Sequence, residues 1–332
     1  MSRIVRWLAV LELAVLGFAF VAAPLPADAQ DYPSRNVTIV VPLAPGTGVD
    51  TVARLYGEKL SERLGRPVVI ENRPGANMVL PTQSVISAPA DGHTLLVATP
   101  TQLSTNQTLY KQLPYDPAKD IVPISHYLTS VFVLVVDPSL PVKTVPEFIK
   151  FGKERATPLS YSSPAGGGFP HYAVALMQQR TGLKLTHVPY KNSPQSIQDI
   201  AAGHVNFGFV EAGASRPLIQ AGKLRALAVS SKTRLPAYPE LPPLAEAAGI
   251  ADYEVVAWHM LVARSGTPRP ILERLNGEMK KIMAMPDVRA RIAGLGLVPH
   301  EPPSIADTEQ FLKTEATRWG AILKSMGLAG SI

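Results

Sequence analysis

The chain has 332 residues, 46% hydrophobic and 17% charged, with a formal net charge of +6 and no cysteine. That length suits about two domains, and the missing thiols exclude cysteine catalysis and disulfide stapling. Lys and Arg are spread along the chain, which speaks against nucleic acid and for a surface that draws in small anions.

Arg3 and Arg6 precede an apolar run from Trp7 to Ala23 that only Glu12 breaks, and Ala27-Asp28-Ala29 follows as a small-x-small site. This is the pattern of a secretory signal peptide over residues 1–29, with the mature chain starting at Gln30. The unbroken part, 13–23, is well short of the roughly 20 residues a membrane-spanning helix needs. The expected location is the periplasm.

Val37, Ile39 and Val40 form a β-branched run, Gly46-Thr47-Gly48 makes a turn, and Val52, Leu55, Tyr56, Leu60 and Leu64 recur near a 3.6-residue period. The unit is strand, glycine loop, helix. It sets a helix N-terminus with unpaired N–H groups at the carboxyl edge of a strand, a ready anion site. A strand over 67–70, a helix over 80–88 and a strand over 94–99 continue a parallel β-α-β-α-β unit. A buried strand is expected over 131–136, then a helix capped by Thr144, a strand over 159–162, a second glycine loop over 163–168 and a helix over 171–180. Strands over 186–188, 207–210 and 224–230 alternate with helices over 193–202 and 216–221. An apolar segment over 255–263 leads to helices over 270–285, 287–295 and 304–326, the last with Ser304 as N-cap and Asp307 in a capping-box-like place.

The repeated layout predicts an α/β fold of two lobes, each a mixed, mostly parallel sheet flanked by helices, joined by a hinge of two crossing strands. The expected lobes are 30–130 with 254–332, and 131–253. The C-terminal helices are expected on the first lobe, and the two glycine loops should face each other.

Gly46-x-Gly48 lacks the third glycine of a dinucleotide loop, because residue 51 is Thr51, and no P-loop lysine follows. Asp50, in the first helical turn, would repel an anion and is expected to order the loop. Ser162, Ser163 and His171 suggest a serine hydrolase, but the Gly-x-Ser-x-Gly elbow is missing. A polar ligand loop at a helix N-terminus fits them better, with His171 either touching the ligand or bracing the loop. None of the 7 histidines shows metal-ligand spacing, so neither metal nor cofactor is expected.

Several short motifs come in one order: Tyr32-Pro33-Ser34-Arg35, Glu71-Asn72-Arg73-Pro74-Gly75-Ala76, Asp91-Gly92-His93-Thr94, His187-Val188-Pro189-Tyr190-Lys191 and Gly222-Lys223-Leu224-Arg225-Ala226. In this the chain resembles the Bug family, the extracytoplasmic solute receptors of tripartite tricarboxylate transporters. The resemblance implies a type II-like periplasmic binding protein, monomeric and not an enzyme. It would close on a small carboxylate and deliver it to membrane transporter subunits. The carboxylate would be held by backbone amides, hydroxyls and ordered waters. Carried over, the site residues are Leu43, Gly46, Thr47, Gly48 and Asp50 of the first loop and Ser163, Gly166, Gly167, Phe169 and His171 of the second. Thr101, after the third strand, and Glu211, after the strand over 207–210, complete the set. Thr47, Val49, Met78, Ala165 and Asn192 depart from the family pattern. Val49, Met78 and Phe169 would make the rim more apolar and favour an aromatic or longer aliphatic carboxylate over malate or citrate. The alternatives are a cleft hydrolase or isomerase using Ser163 and His171, and a sensor that reports its ligand to a two-component kinase.

Overall fold

The computed structural model describes residues 32–164 and 168–332. The expected signal peptide, the start at Gln30, and Gly166 and Gly167 lie outside the described residues.

The first strand, β1 (Val37–Val41), is β-branched along most of its length and buried almost throughout. Gly46 turns the chain at φ +82, and Thr47 caps α1 (Gly48–Leu64), which ends at Gly65 in the left-handed region. Then come β2 (Val68–Asn72), α2 (Val79–Ile86) and β3 (Thr94–Ala98). The order β2-β1-β3 is parallel, as the sequence pattern predicts.

The crossing strand is longer than expected. Instead of a separate strand over 131–136, β4 runs over 16 residues, Ile121–Val136. The second half of the chain supplies α3 (Val145–Glu154), β5 (Leu159–Pro164), α4 (Phe169–Thr181), β6 (Leu185–Tyr190), α5 (Ser193–Ala201), β7 (Phe207–Glu211), α6 (Ala212–Gln220) and β8 (Arg225–Val229). Here β6-β5-β7 is the parallel unit. The return is β9 (Val256–Arg264), followed by α7 (Arg269–Met283), α8 (Pro286–Gly294), β10 (Leu297–Pro299) and α9 (Ile305–Ser325).

β4 joins the two sheets. Over Ile121–Val131 it pairs antiparallel with β9, and over Phe132–Val136 with β7. β8 and β10 also lie antiparallel to it. Each lobe is therefore a parallel three-stranded unit finished by antiparallel crossing strands. The polar residues Ser125 and Ser130 are buried inside β4. They interrupt the apolar run, which is why local patterning places the strand start too late.

The lobes also touch outside the crossing strands. At the head of α9, Ile305 packs with Val37, Tyr56 and Leu275 in the first core. Near its tail, Trp319 and Leu323 pack with Phe169 and Tyr172 in the second. The helix spans both lobes rather than resting on the first alone. Buried Glu315 accepts the indole N–H of Trp258 and of Trp319, each at 3.1 Å, and a guanidinium N–H of Arg318 at 3.1 Å. Nearby, α6 meets the loop before β10 backbone to backbone. A Cβ added at Gly213 would lie 1.9 Å from the Leu295 carbonyl oxygen, so only glycine permits this approach.

Candidate ligand-binding cleft

The first loop is ordered from within. Asp50 is 3% exposed. It accepts the Gly46 N–H at 2.8 Å, Arg54 Nε at 3.1 Å and Asn72 Nδ2 at 2.8 Å. Burial alone would raise its pKa, but the hydrogen bonds from Arg54, Gly46 and Asn72 hold it below the usual carboxylate range. Both its oxygens are taken up by the loop's own frame, so Asp50 positions the loop and leaves the ligand to others. Asn72 also donates to the Leu43 carbonyl at 3.0 Å. Thr47 Oγ1 donates to the Ala44 carbonyl at 3.0 Å and receives the Asp50 N–H at 3.4 Å. Gly48 and Val49, in the first turn of α1, have no intrahelical acceptor for their N–H groups. Val49 itself, at 6% exposure, lies in the core with Val52 and Tyr56.

Beyond β2 the backbone makes a left-handed turn. Ala76, Asn77 and Met78 all have positive φ, at 45°, 49° and 67°. A side chain there costs roughly 1–2 kcal/mol per residue, and hydrogen bonds hold the turn. Asn77 Nδ2 donates to Asn106 Oδ1 at 2.9 Å, and Asn106 Nδ2 donates back to the Asn77 carbonyl at 3.1 Å. Thr99 Oγ1 donates to Met78 Sδ at 3.4 Å. Thr101 is buried in the wide helical turn Thr101–Thr105 just past β3. Sequence reasoning missed Asn77, Thr99 and Asn106. Met78, standing where the family pattern has glycine, is the available signal.

In the second lobe, β5 ends at the loop and α4 begins at Phe169. Ser163 Oγ lies 2.8 Å from His187 Nε2, and His171 Nδ1 lies 3.2 Å from the Tyr161 hydroxyl. His187, not His171, is thus the imidazole beside Ser163, unlike the pairing that the alternative hydrolase or isomerase reading supposes. β6 runs beside β5 and brings His187, remote in sequence, next to Ser163. The His187 ring stacks on Tyr161 at 4.8 Å and meets His171 at 4.6 Å between centroids. Burial, and then the neighbouring His187, push the His171 pKa down to about 4, and burial lowers that of His187. At neutral pH both rings are uncharged, suited to hydrogen bonding and not to ion pairing. Phe169 is not a rim residue. It is 4% exposed and meets Trp319 and Tyr172 edge-on, with centroids at 4.7 and 5.5 Å.

Glu211 closes β7, opposite Phe132 of β4. Its side chain is exposed to solvent, and partial desolvation by neighbouring protein raises its carboxyl pKa.

Residues 52–328 match the tripartite tricarboxylate transporter family receptors. The chain belongs to that family. Over 314 residues it is 36% identical to the UPF0065 protein of the tcbD-tcbE intergenic region of Pseudomonas sp. (strain P51), covering 94% of this chain and 92% of the relative. It is 32% identical over 323 residues to BugT of Bordetella pertussis, covering 95% and 97%. Among solved structures, R. palustris Rpa4515 with adipate aligns at a TM-score of 0.81 and 34% identity, covering 90% of this chain and 99% of that one. MatC of Rhodopseudomonas palustris with bound malate aligns at 0.77 and 30%, covering 88% and 100%.

In this family receptor most of the expected site residues fall into three groups. Gly46, Thr47 and Gly48 form the first loop's tip at the head of α1, with Leu43 and Asp50 beneath it. Ser163 and His171 sit at the end of β5 and the start of α4, in one cluster with His187 and Tyr161. Phe169, like Val49, belongs to the core. A cavity of about 320 Å³ lies away from both loops, between β4, β9 and α9, lined by Thr129, Trp258, His300 and Arg318 among others. Its wall includes the Glu315–Arg318 pair that fastens α9. Among the described residues no helix is long and apolar enough to cross a membrane, and no group of His, Cys, Asp and Glu could hold a metal ion.

Proposed function

We propose that the protein is a monomeric periplasmic receptor that closes its two lobes on a small carboxylate and delivers it to a tripartite tricarboxylate-type transporter. The observation that carries this reading is the duplicated unit, a strand leading through a loop into a helix N-terminus, present once on each side of β4 and β9. A carboxylate at the head of α1 gains from the helix end, roughly 0.3–1 kcal/mol when exposed and up to ~2 when partly buried. Hydrogen bonds to its charge add about 1.5–3 kcal/mol each. These terms select carboxylates as a class, and the relatives solved with adipate and malate support that class.

In this reading the lobes are 30–130 with 254–332, and 131–253, and residues 1–29 direct export. Of the three side chains that argued for an aromatic or longer aliphatic acid, Val49 and Phe169 are core residues. Met78, in the left-handed turn after β2, is only partly buried, and each ligand methylene buried against it would contribute about 0.8 kcal/mol. That favours chain length without favouring a ring. In this reading the protein binds its ligand and releases it unchanged.

Native mass spectrometry of periplasmic protein purified without refolding tests the reading. A carried-over carboxylate of unchanged mass, together with a smaller radius of gyration by X-ray scattering when that acid is added back, is the expected result. A chemically altered product after incubation would replace the receptor with an enzyme.

A further inference from the structure

The cavity beside the crossing strands lies where two apolar clusters stop short of each other. On one side Val131 and Leu235 are buried with Val133 and Tyr238, and Val256 and Val298 are half-buried against them. On the other, Trp258 packs with Val40, Leu96 and Met260, and Phe311 of α9 packs against that cluster. Val131, Leu235, Val256, Val298, Trp258 and Phe311 all line the gap, which has a volume of about 320 Å³. One water's share of liquid volume is about 30 Å³, and small-molecule sites begin near 300 Å³. The gap is therefore of ligand size. It is also separate from the first loop. Leu261 of β9 shares a core with Val52 and Tyr56 of α1, whereas Trp258 and Met260, on the other face of the same strand, belong with α9.

Most polar groups in the wall have partners within the protein. Thr129 Oγ1 and His300 Nε2 lie 2.7 Å apart. Arg318 donates to Glu315 and to the Glu254 carbonyl, and its guanidinium lies 5.3 Å from the centre of the Trp319 ring. Burial, and then His300 and His259, push the His126 pKa down to about 3; burial, and then Arg289, lower that of His300. Both imidazoles are uncharged at neutral pH. The carboxylate of Glu254 is different. Lys232 and Arg318 approach only one of its oxygens, Oε2, at 3.8 and 3.9 Å, which is beyond hydrogen-bond reach. Among the described residues neither oxygen accepts a hydrogen bond. The charged residues of the wall are two acids, Glu254 and Glu315, and one base, Arg318. The wall thus carries an excess negative charge in a chain whose net charge is +6. Lys232 stands outside the wall with its side chain 65% exposed, where water screens it.

We propose that this cavity is a second ligand site, taking a small organic cation: a primary ammonium that donates to Glu254, on an apolar body that fills the space between Leu235, Val298 and Phe311. The body gains by removing half-exposed apolar surface from water, and the ammonium supplies the donor that Glu254 lacks. The site does not depend on a carboxylate at the Gly46–Gly48 loop, so it stands or falls separately from the receptor reading.

The test uses the chain from Gln30 onward, in which the tryptophans are Trp258 and Trp319. Benzylamine and benzyl alcohol share a ring and a size and differ in charge at pH 7. In nitrogen-15 spectra, benzylamine should shift the Trp258 indole signal to saturation. It should bind about tenfold tighter than the alcohol, the scale of one charge-assisted hydrogen bond. Glu254→Gln should bring the two compounds to equal affinity. Thr233→Phe, at an exposed position of the cavity wall, should block entry and abolish both shifts. Neither side chain makes a hydrogen bond within the protein, so both variants should keep the wild-type melting temperature to within a degree or two. Equal affinity of amine and alcohol for the wild type, or a preference unchanged in Glu254→Gln, overturns the cation assignment. A Trp258 shift that survives Thr233→Phe, or no saturable shift with either compound, overturns the site.

Discussion

Asp50→Asn separates a loop-ordering acid from a ligand-binding one. The substitution keeps shape and removes charge. One of the two Asp50 oxygens becomes an NH2 group, so either the Gly46 N–H at 2.8 Å or the Asn72 amide at 2.8 Å faces a donor instead of an acceptor. A buried donor left unpaired costs about 1–3 kcal/mol. The Arg54 pair adds little, because that guanidinium is 51% exposed and screened by water. The expected loss is about 2 kcal/mol, or roughly 3 °C in melting temperature for a chain of this size. The loop tip should loosen and carboxylate affinity should fall about tenfold, equivalent to ~1.4 kcal/mol. The pH dependence has a definite sign. Asp50 has a lowered pKa in the folded chain, so its contribution is complete above the unfolded value of about 3.9 and is lost as pH falls through the folded one. The stability gap between wild type and variant should be full at pH 7 and close on acidification below about pH 4. Differential scanning calorimetry at several pH values and titration with adipate measure both effects. If Asp50 instead faced the ligand carboxylate, removing its charge would tighten binding. A tighter variant with an unchanged melting temperature would refute the reasoning.

Phe169→Ala should cost about 3–5 kcal/mol in urea denaturation, because the ring fills the core between Trp319 and Tyr172; lost affinity at unchanged stability would return Phe169 to the rim. Met78→Gly should be close to neutral, within about 1 kcal/mol. Relief of the left-handed backbone at φ +67 offsets the flexibility gained by the unfolded chain. A loss of about 3 kcal/mol would show that the side chain's packing outweighs the strain. Gly213→Ala should destabilise by about 1–3 kcal/mol and alter the scattering profile, since the methyl group would meet the Leu295 carbonyl oxygen and force α6 away from the loop before β10. An unperturbed, fully stable variant would mean that the lobes do not rest on this contact.

How far the sequence could be read depended on whether the deciding contacts were local. Capping is local. Thr144 and Ser304 were placed correctly because each hydroxyl serves a backbone N–H three residues on, Glu147 at 3.3 Å and Asp307 at 3.1 Å. The start of β4 was not local. Ser130 is buried there because His259 of β9 approaches its hydroxyl at 3.4 Å, and nothing within a few residues of Ser130 announces that histidine. The same holds for Ser163, whose imidazole neighbour is supplied by β6 and not by the helix that follows it.

Val49 and Phe169 differ from the expectation for another reason, one that their own local sequence carries. Both follow a glycine loop, and position in the loop suggested that they point at the ligand. Both also begin an apolar helical stripe. Val49 is continued by Val52, Ala53 and Tyr56, and Phe169 by Tyr172, Ala173 and Leu176, the i, i+3, i+4, i+7 spacing of a core-facing helix. Those six continuing residues are all buried. Residues at a helix head that lie off the stripe behave otherwise. Thr47, Gly48 and His171 are only partly covered. The stripe decides, because burying a phenylalanine in a formed core contributes about 1.5–3 kcal/mol whether or not a ligand is present. Contact with a ligand stabilises the chain only when the site is occupied. A side chain at the mouth of a binding loop therefore counts toward the site only after the helix it starts has been shown not to claim it. By that criterion Gly46, Thr47, Gly48 and His171 stay with the candidate site, and Val49 and Phe169 go to the core.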